Sequence, residues 1–297
     1  MRTAVLAAAL TFALAGCATT ATTTPSPAPG TTPVAAQEDP PADDTLNAVA
    51  WYQTSVEKDL IFRTVYRAAG QHLQAALRDA SWDALPKEDR LASAKGLKPA
   101  IIVDVDETVL DNSPAQVRAI LERGGFNDAR WGEWVLQQAA KPVAGAVEFL
   151  DDAAQQGVTV FYITNRDAEH TQATIANLRN AGFPIASDAQ VLALGTVVEG
   201  CEQKGNSKSC RRQLVGRTHR VLMQFGDQVG DFVQIVANTP AGRREAVAPY
   251  EAWIGERWFV LPNPMYGSWE PALFDNDRSL PAAQQRAKKQ AALDAAK

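Results

Sequence analysis

Apolar, β-branched runs that stop abruptly in polar clusters recur along this chain. Ile101-Ile102-Val103 runs into Asp104-Val105-Asp106-Glu107-Thr108. Val158-Thr159-Val160-Phe161-Tyr162-Ile163 ends in Thr164-Asn165-Arg166, and Arg220-Val221-Leu222-Met223-Gln224-Phe225 ends in Gly226-Asp227, with Asp231-Phe232 just beyond. Short apolar runs bounded by polar residues predict buried strands. Helix-like segments lie between them, such as Val143 to Gln156 with Val147, Leu150 and Ala154 at helical spacing. Ahead of the first strand, Asp44 to Leu77 carries a helical pattern through Val56, Leu60 and Val65, with Tyr66 and Ala69 nearby. Strands alternating with helices predict an α/β fold with a central parallel sheet and crossover helices.

Open parallel sheets bind ligands beyond the carboxyl ends of their strands, so the three clusters converge on one edge. Asp104 and Asp106, spaced i, i+2, can divide labour there, one as nucleophile or metal ligand and the other as proton carrier. Taken alone the pair is equally a strand followed by an acidic turn; the downstream clusters give it weight. A further cluster, Asn206-Ser207-Lys208-Ser209, precedes Arg211 and Arg212 and offers Lys208 as a fixed cation, with Lys204 as its competitor. Carboxylates in this arrangement favour a hard divalent cation that prefers oxygen ligands.

These clusters, together with Trp51-Tyr52-Gln53-Thr54-Ser55-Val56-Glu57, the block Asp104 to Pro114, Trp131-Gly132-Glu133-Trp134-Val135, Pro142 to Phe149 and Leu261 to Glu270, resemble the haloacid-dehalogenase superfamily of phosphohydrolases. More narrowly they resemble the class C acid phosphatases, the bacterial outer-membrane lipoprotein phosphatase and 5′-nucleotidase family. The resemblance implies a haloacid-dehalogenase-type, Rossmann-like core with a central parallel sheet, N-terminal helices and a small cap-like insertion. It also implies a Mg²⁺-dependent phosphomonoesterase that acts through an aspartyl-phosphate on nucleotides and other phosphate monoesters. Asp104 is then the nucleophile. Mg²⁺ is held by the Asp104 carboxylate, the Asp106 backbone carbonyl and Asp227, and Asp231 holds a metal-bound water. The Asp106 side chain is the proton carrier. Thr164, with Asn165 nearby, and Lys208 face the phosphoryl oxygens. Trp131 and Tyr266 form an aromatic clamp for the base. Arg166 is a candidate substrate contact, the competing role being that of a solvated or ion-paired residue. Asp111 and Asn112 read as turn residues before Pro114, and Trp134 as packing. Gln228 stands where the family commonly has Asn, which puts local loop hydrogen bonds in question.

A retired phosphatase fold, serving as a surface lipoprotein for binding or adhesion, is the alternative. Degenerate members usually lose the nucleophile or the metal aspartates, and here the whole set is present. A chain of 297 residues with 46 % hydrophobic content can bury one substantial core. The net charge of −5 without a basic tract argues against nucleic-acid binding. The histidines His72, His170 and His219 are scattered and lack the spacing of a zinc site.

At the N-terminus, Arg2 precedes an apolar run from Ala4 to Leu14, too short to span a bilayer, and Leu14-Ala15-Gly16-Cys17 resembles a lipobox. Residues 1–16 are therefore expected to be a lipoprotein signal peptide, with Cys17 lipidated and Ala18 directing the protein to the outer membrane, on its periplasmic or surface side. Residues 17–45, rich in Ala, Thr and Pro, are expected to be a disordered tether. Residues 46–280 form the phosphatase domain, and residues 281–297 a solvated tail. Self-association into a homo-oligomer is left open. In an oxidising compartment Cys201 and Cys210 are expected to pair across the loop that carries Lys208.

Overall fold

The computed structural model describes residues 44–296. Two helices lead in, α1 (Leu46–Thr54) and α2 (Val56–Arg78). The one helical stretch read from sequence divides at Ser55, whose backbone turns extended and whose hydroxyl accepts the Lys58 N–H at 3.3 Å, capping α2. The stripe that α2 buries is Phe62, Tyr66, Ala69, Leu73 and Ala76, whereas Val56 and Leu60 are solvent-exposed. Two apolar stripes satisfy helical spacing here. The one with the aromatic rings faces inward, where Tyr66 stacks on Phe225 with ring centroids 5.3 Å apart.

Strand β1 (Lys98–Val103) is followed by the two-residue β2 (Leu110–Asp111), helices α3 (Ser113–Leu121) and α4 (Asp128–Leu136), and the equally short β3 (Lys141–Pro142). Leu110 pairs antiparallel with Pro142, and Asp111 with Lys141, so the excursion that holds α3 and α4 is pinched closed at its base. This is the insertion expected between the first two strands. The chain continues through α5 (Ala146–Gln155), β4 (Thr159–Asp167), α6 (Thr171–Asn180), β5 (Val191–Leu194), α7 (Ser209–Thr218) and β6 (His219–Gly226). Helix α5 buries Ala146, Phe149, Leu150 and Ala153, a face rotated slightly from the one that Val147 and Ala154 would define. After β6 come α8 (Val229–Phe232), α9 (Pro240–Val247), β7 (Trp258–Val260) and α10 (Ala282–Ala291).

The five-stranded sheet has the order β5-β4-β1-β6-β7, and every pairing in it is parallel. The strand order reverses between β1 and β6, so the crevice at their carboxyl ends is the topological switch point. Short β5 and β7 carry too few residues to stand out as sequence patterns. Helix α10 buries no residue but is tied down by Lys289 to Glu270 at 2.9 Å and Arg286 to Asp44 at 3.1 Å. No helix among the described residues is long and apolar enough to cross a membrane. The signal peptide, Cys17 and nearly all of the tether lie outside the described residues.

Candidate active site

Asp104 follows β1 directly, and its N–H donates to the Phe225 carbonyl of β6 at 2.9 Å, which fixes it at the switch point. Its carboxylate is buried. One oxygen accepts from Lys208 Nζ, and the other accepts from the Thr108 hydroxyl at 3.3 Å. Lys208, at the mouth of α7, also donates to Asp231 Oδ1 at 2.7 Å. Asp227 completes the group: carboxylate oxygens of Asp104, Asp227 and Asp231 lie within 4.8 Å of one another.

Crowding three carboxylates in a buried site has an electrostatic cost. Burial, reinforced by Asp231 and Asp106, pushes the Asp104 carboxyl up to about 7 against the pull of Lys208. Burial, then Asp231 and Asp104, holds Asp227 well above the ordinary carboxylate range. For Lys208, burial works against the charge, but the Asp104 and Asp231 carboxylates outweigh it and raise the ammonium. One ammonium does not balance three carboxylates, and a divalent cation with oxygen preference fits the remainder.

Asp106 stands apart from this group in a web of donors. Its Oδ1 accepts from Arg166 Nε and from Asn112 Nδ2, each at 2.9 Å, with Arg166 Nη2 ion-paired to the same oxygen at 2.8 Å. Among the described residues its Oδ2 accepts only from the Thr164 hydroxyl, at 3.2 Å. Strand β4 runs on through Thr164-Asn165-Arg166 instead of ending at Ile163, so Thr164 and Arg166 point inward and Asn165 outward. Of the two roles open to Arg166, the geometry gives the ion pair: the guanidinium is buried on Asp106. Asn165 Oδ1 accepts from Arg211 Nη2 at 2.7 Å.

The first turn of α7 ties the clusters together. Arg211 donates to the Thr164 carbonyl, and Arg212 donates to the Gly230 and Asp231 carbonyls at 2.9 Å each. Arg212 is itself fixed by buried Asp89 at 2.6 Å. Cys201 and Cys210 are joined by a disulfide, with Cα atoms 5.6 Å apart, closing the loop that delivers Lys208. Lys204 has no place in the cluster.

Gln228 supplies the loop bonds that the residue change put in question. Its Nε2 donates to Asp227 Oδ2 at 2.9 Å and to the Tyr266 carbonyl at 3.3 Å, while its Oε1 accepts from Ser268 N at 3.2 Å. Asn263 Nδ2 adds a second donor to Asp227 Oδ2 at 2.7 Å. Tyr266 therefore enters the site through its backbone; its ring packs against the core and its buried hydroxyl has no partner among the described residues. Trp131 is half-buried, with the Arg166 guanidinium 5.7 Å from its ring centre. Trp131, Trp134, Phe126 and Arg118 also line a cavity of about 120 Å³ in the insertion. His170 is half-buried beside exposed Asp167 and Glu169, its imidazole turned toward Gly132.

Sequence reasoning missed Asn112. Fully buried, it donates to Asp106 and accepts through Oδ1 from both Arg166 Nη2 and Trp134 Nε1. Only its place in the quoted block from Asp104 to Pro114 hinted at more than a turn. Glu107, adopting φ 57° with no glycine to ease it, accepts the Asn112 N–H at 2.7 Å and is buried, which holds its carboxyl well above the ordinary range.

A parallel sheet with a buried aspartate at its switch point, a lysine bridge and a carboxylate nest is the arrangement expected of the phosphatase class of α/β protein. The chain belongs to the HAD superfamily, subfamily IIIB (Acid phosphatase), whose profile matches residues 44–269. Two structures of the class C acid phosphatase from Bacillus anthracis, one with tungstate bound, align with a TM-score of 0.72 at 33 % identity, covering 84 % of this chain and 96 % of theirs. Acid phosphatase 1 from Solanum lycopersicum is 29 % identical over 170 residues, 56 % of this chain, and the chain spans 57 % of that relative's length.

Proposed function

We propose that this chain is a Mg²⁺-dependent acid phosphatase that hydrolyses phosphate monoesters through a phosphorylated Asp104, with nucleoside 5′-monophosphates among its substrates. The observation that carries this reading is the Asp104–Lys208–Asp231 bridge beside Asp227. It presents a carboxylate nucleophile, a fixed ammonium and a cation-binding nest at one strand edge.

Phosphoryl transfer passes through a loose transition state, so a protein contributes mainly position and charge. The Asp104 carboxylate, the Asp106 backbone carbonyl and Asp227 would hold Mg²⁺, with Asp231 beside them for a metal-bound water; when bound, the ion neutralises the repulsion between carboxylate and phosphate and polarises the phosphoryl group. Lys208 fixes the Asp104 carboxylate and adds positive charge where phosphoryl oxygens gather. An Asp104 oxygen attacks phosphorus, the ester P–O bond breaks, and Asp106 gives its proton to the departing oxygen. Asp106, now a carboxylate, takes a proton from the water that attacks the aspartyl-phosphate, which releases phosphate and restores Asp104. Proton transfer by a positioned group of this kind is worth on the order of 10²–10⁴-fold. Only Oδ2 of Asp106 is lightly bonded, so Oδ2 is the oxygen that carries the proton. The tungstate held by the Bacillus anthracis enzyme, a tetrahedral oxyanion, supports a phosphate-shaped site. The lipobox-like Leu14 to Cys17 supports anchoring at the outer membrane.

The test is phosphate release from p-nitrophenyl phosphate and from a panel of nucleotides, with and without EDTA. Activity lost on chelation and restored by Mg²⁺ is expected. Hydrolysis indifferent to chelation and to Asp104→Asn would reject the mechanism.

A further inference from the structure

Asn112 joins the insertion to the proton carrier, and its amide can sit only one way round. Arg guanidinium and Trp indole nitrogens donate hydrogen bonds and cannot accept them. Arg166 Nη2, at 3.0 Å, and Trp134 Nε1, at 2.8 Å, both meet the same side of the Asn112 amide, which must therefore be its oxygen. The other side, then necessarily the NH₂, faces Asp106 Oδ1 at 2.9 Å and the Leu110 carbonyl at 3.3 Å. The Asn112 backbone is held equally tightly. Its N–H donates to Glu107 Oε1 at 2.7 Å, and its carbonyl accepts from Ala115 N at 2.9 Å. No freedom is left in this residue.

We infer that Asn112 and Trp134 are positioning residues for the reaction, with the α4 indole setting the Asn112 amide so that its NH₂ holds Asp106 Oδ1 and leaves Oδ2, lightly held by the Thr164 hydroxyl, to deliver the proton. The inference rests on the reading of Asp106 as proton carrier. Trp134, which reads as packing in the sequence, is buried, but its polar edge is spent on Asn112 and not on the backbone of its own helix. The arrangement makes the insertion part of the catalytic geometry: a displacement of α4 withdraws a donor from Asn112, and the carboxylate loses its third Oδ1 contact. A flipped amide would aim an oxygen at a carboxylate, which is repulsive in a buried site.

Positioning of the proton carrier has a signature that packing lacks. An aryl oxide of low basicity leaves without a proton, whereas an alkoxide needs one. Loss of proton delivery therefore lowers kcat/KM for an alkyl phosphate and spares kcat/KM for p-nitrophenyl phosphate. Asn112→Asp keeps shape and the acceptor for Trp134 and Arg166 but replaces the donor to Asp106 with an oxygen. It is expected to lower alkyl kcat/KM about 30- to 100-fold and aryl kcat/KM less than about fivefold. Trp134→Phe keeps an aromatic ring but removes the donor together with part of the indole's volume; it should shift the same ratio about three- to tenfold. The double variant should be no worse than Asn112→Asp alone, because Trp134 acts through Asn112. Should Asn112→Asp fail to fold, Trp134→Phe decides by itself. An unchanged alkyl-to-aryl ratio, or a change confined to KM, overturns the inference while wild-type aryl hydrolysis still upholds the phosphatase reading. A wild-type protein without aryl hydrolysis overturns both.

Discussion

Gly226 has no side chain because Asp231 occupies the space one would need. A Cβ at Gly226 would fall 2.4 Å from Asp231 Oδ2 and 2.4 Å from its Cβ. Asp231 in turn is pinned by Lys208 at 2.7 Å and by the Gln228 N–H at 2.8 Å. The glycine before Asp227 thus sets how closely the two aspartates of this loop can approach. Gly226→Ala should push Asp231 off Lys208 and reduce turnover at least about a hundredfold, with weaker Mg²⁺ dependence of thermal stability. Circular dichroism and a Mg²⁺ titration of Tm check this; wild-type kcat in the alanine variant would disprove the steric argument.

Asp104→Asn replaces the proposed nucleophile at nearly constant volume. Activity should fall below about 10⁻³ of wild type, and the folded state should be retained, since a buried carboxylate that titrates high is replaced by a neutral amide. Phosphate release and a melting curve together test both halves of the statement.

The same carboxylates make the metal-free protein sensitive to pH. Asp104 has its folded value raised to about 7, above the unfolded value of 3.8. The folded state then binds more protons, so this contribution to stability is present below the unfolded value and lost as pH rises toward 7. In EDTA, the Tm of wild type relative to Asp104→Asn should fall between pH 4 and pH 7.5, by about 2–4 °C for each kcal/mol lost. Mg²⁺ should flatten the difference. A gap that widens in favour of wild type as pH rises would reverse the sign and refute it.

Arg166 offers Nε and Nη2 to one oxygen of Asp106 and a further contact to Asn112, a fork that lysine cannot reproduce. Arg166→Lys should lower alkyl-phosphate kcat/KM on the order of a hundredfold. Because the cation is kept, Tm should fall less than it does in Arg166→Ala, where a carboxylate loses its buried partner. Equal melting temperatures for the two variants would argue against the ion pair.

Tyr266 gives two separable outcomes. Its buried hydroxyl has no partner among the described residues, so Tyr266→Phe should leave Tm unchanged or raise it slightly. If the ring also reads a nucleobase, Tyr266→Ala and Trp131→Ala should cost a nucleotide about tenfold more kcat/KM than a small aliphatic phosphate, as expected for about 1.4 kcal/mol of lost stacking. Equal losses on both substrates would leave the rings as packing.

Much of this site was legible before any coordinates. Asp104, Thr164 and Asp227 stand where apolar runs stop, and strands in a parallel sheet all present those ends at one edge, so local pattern alone brings them together. Lys208, remote from any strand, could be preferred over Lys204 only through a resemblance to a family. What tertiary structure decided was partnership. Arg166 could have faced substrate or a carboxylate, and the alternation of β4 past Ile163 turned it inward onto Asp106. Asn112 looks like any residue before a proline-led helix until folding places Trp134, Arg166 and Asp106 around it. Likewise α2 carries two stripes of suitable spacing, and only packing against β6 selected the one with Phe62 and Tyr66. Hydrophobic period and strand-end chemistry are properties of short segments, so sequence determines them. The choice of hydrogen-bond partner for a buried polar group depends on segments distant along the chain, and only the closed fold makes it.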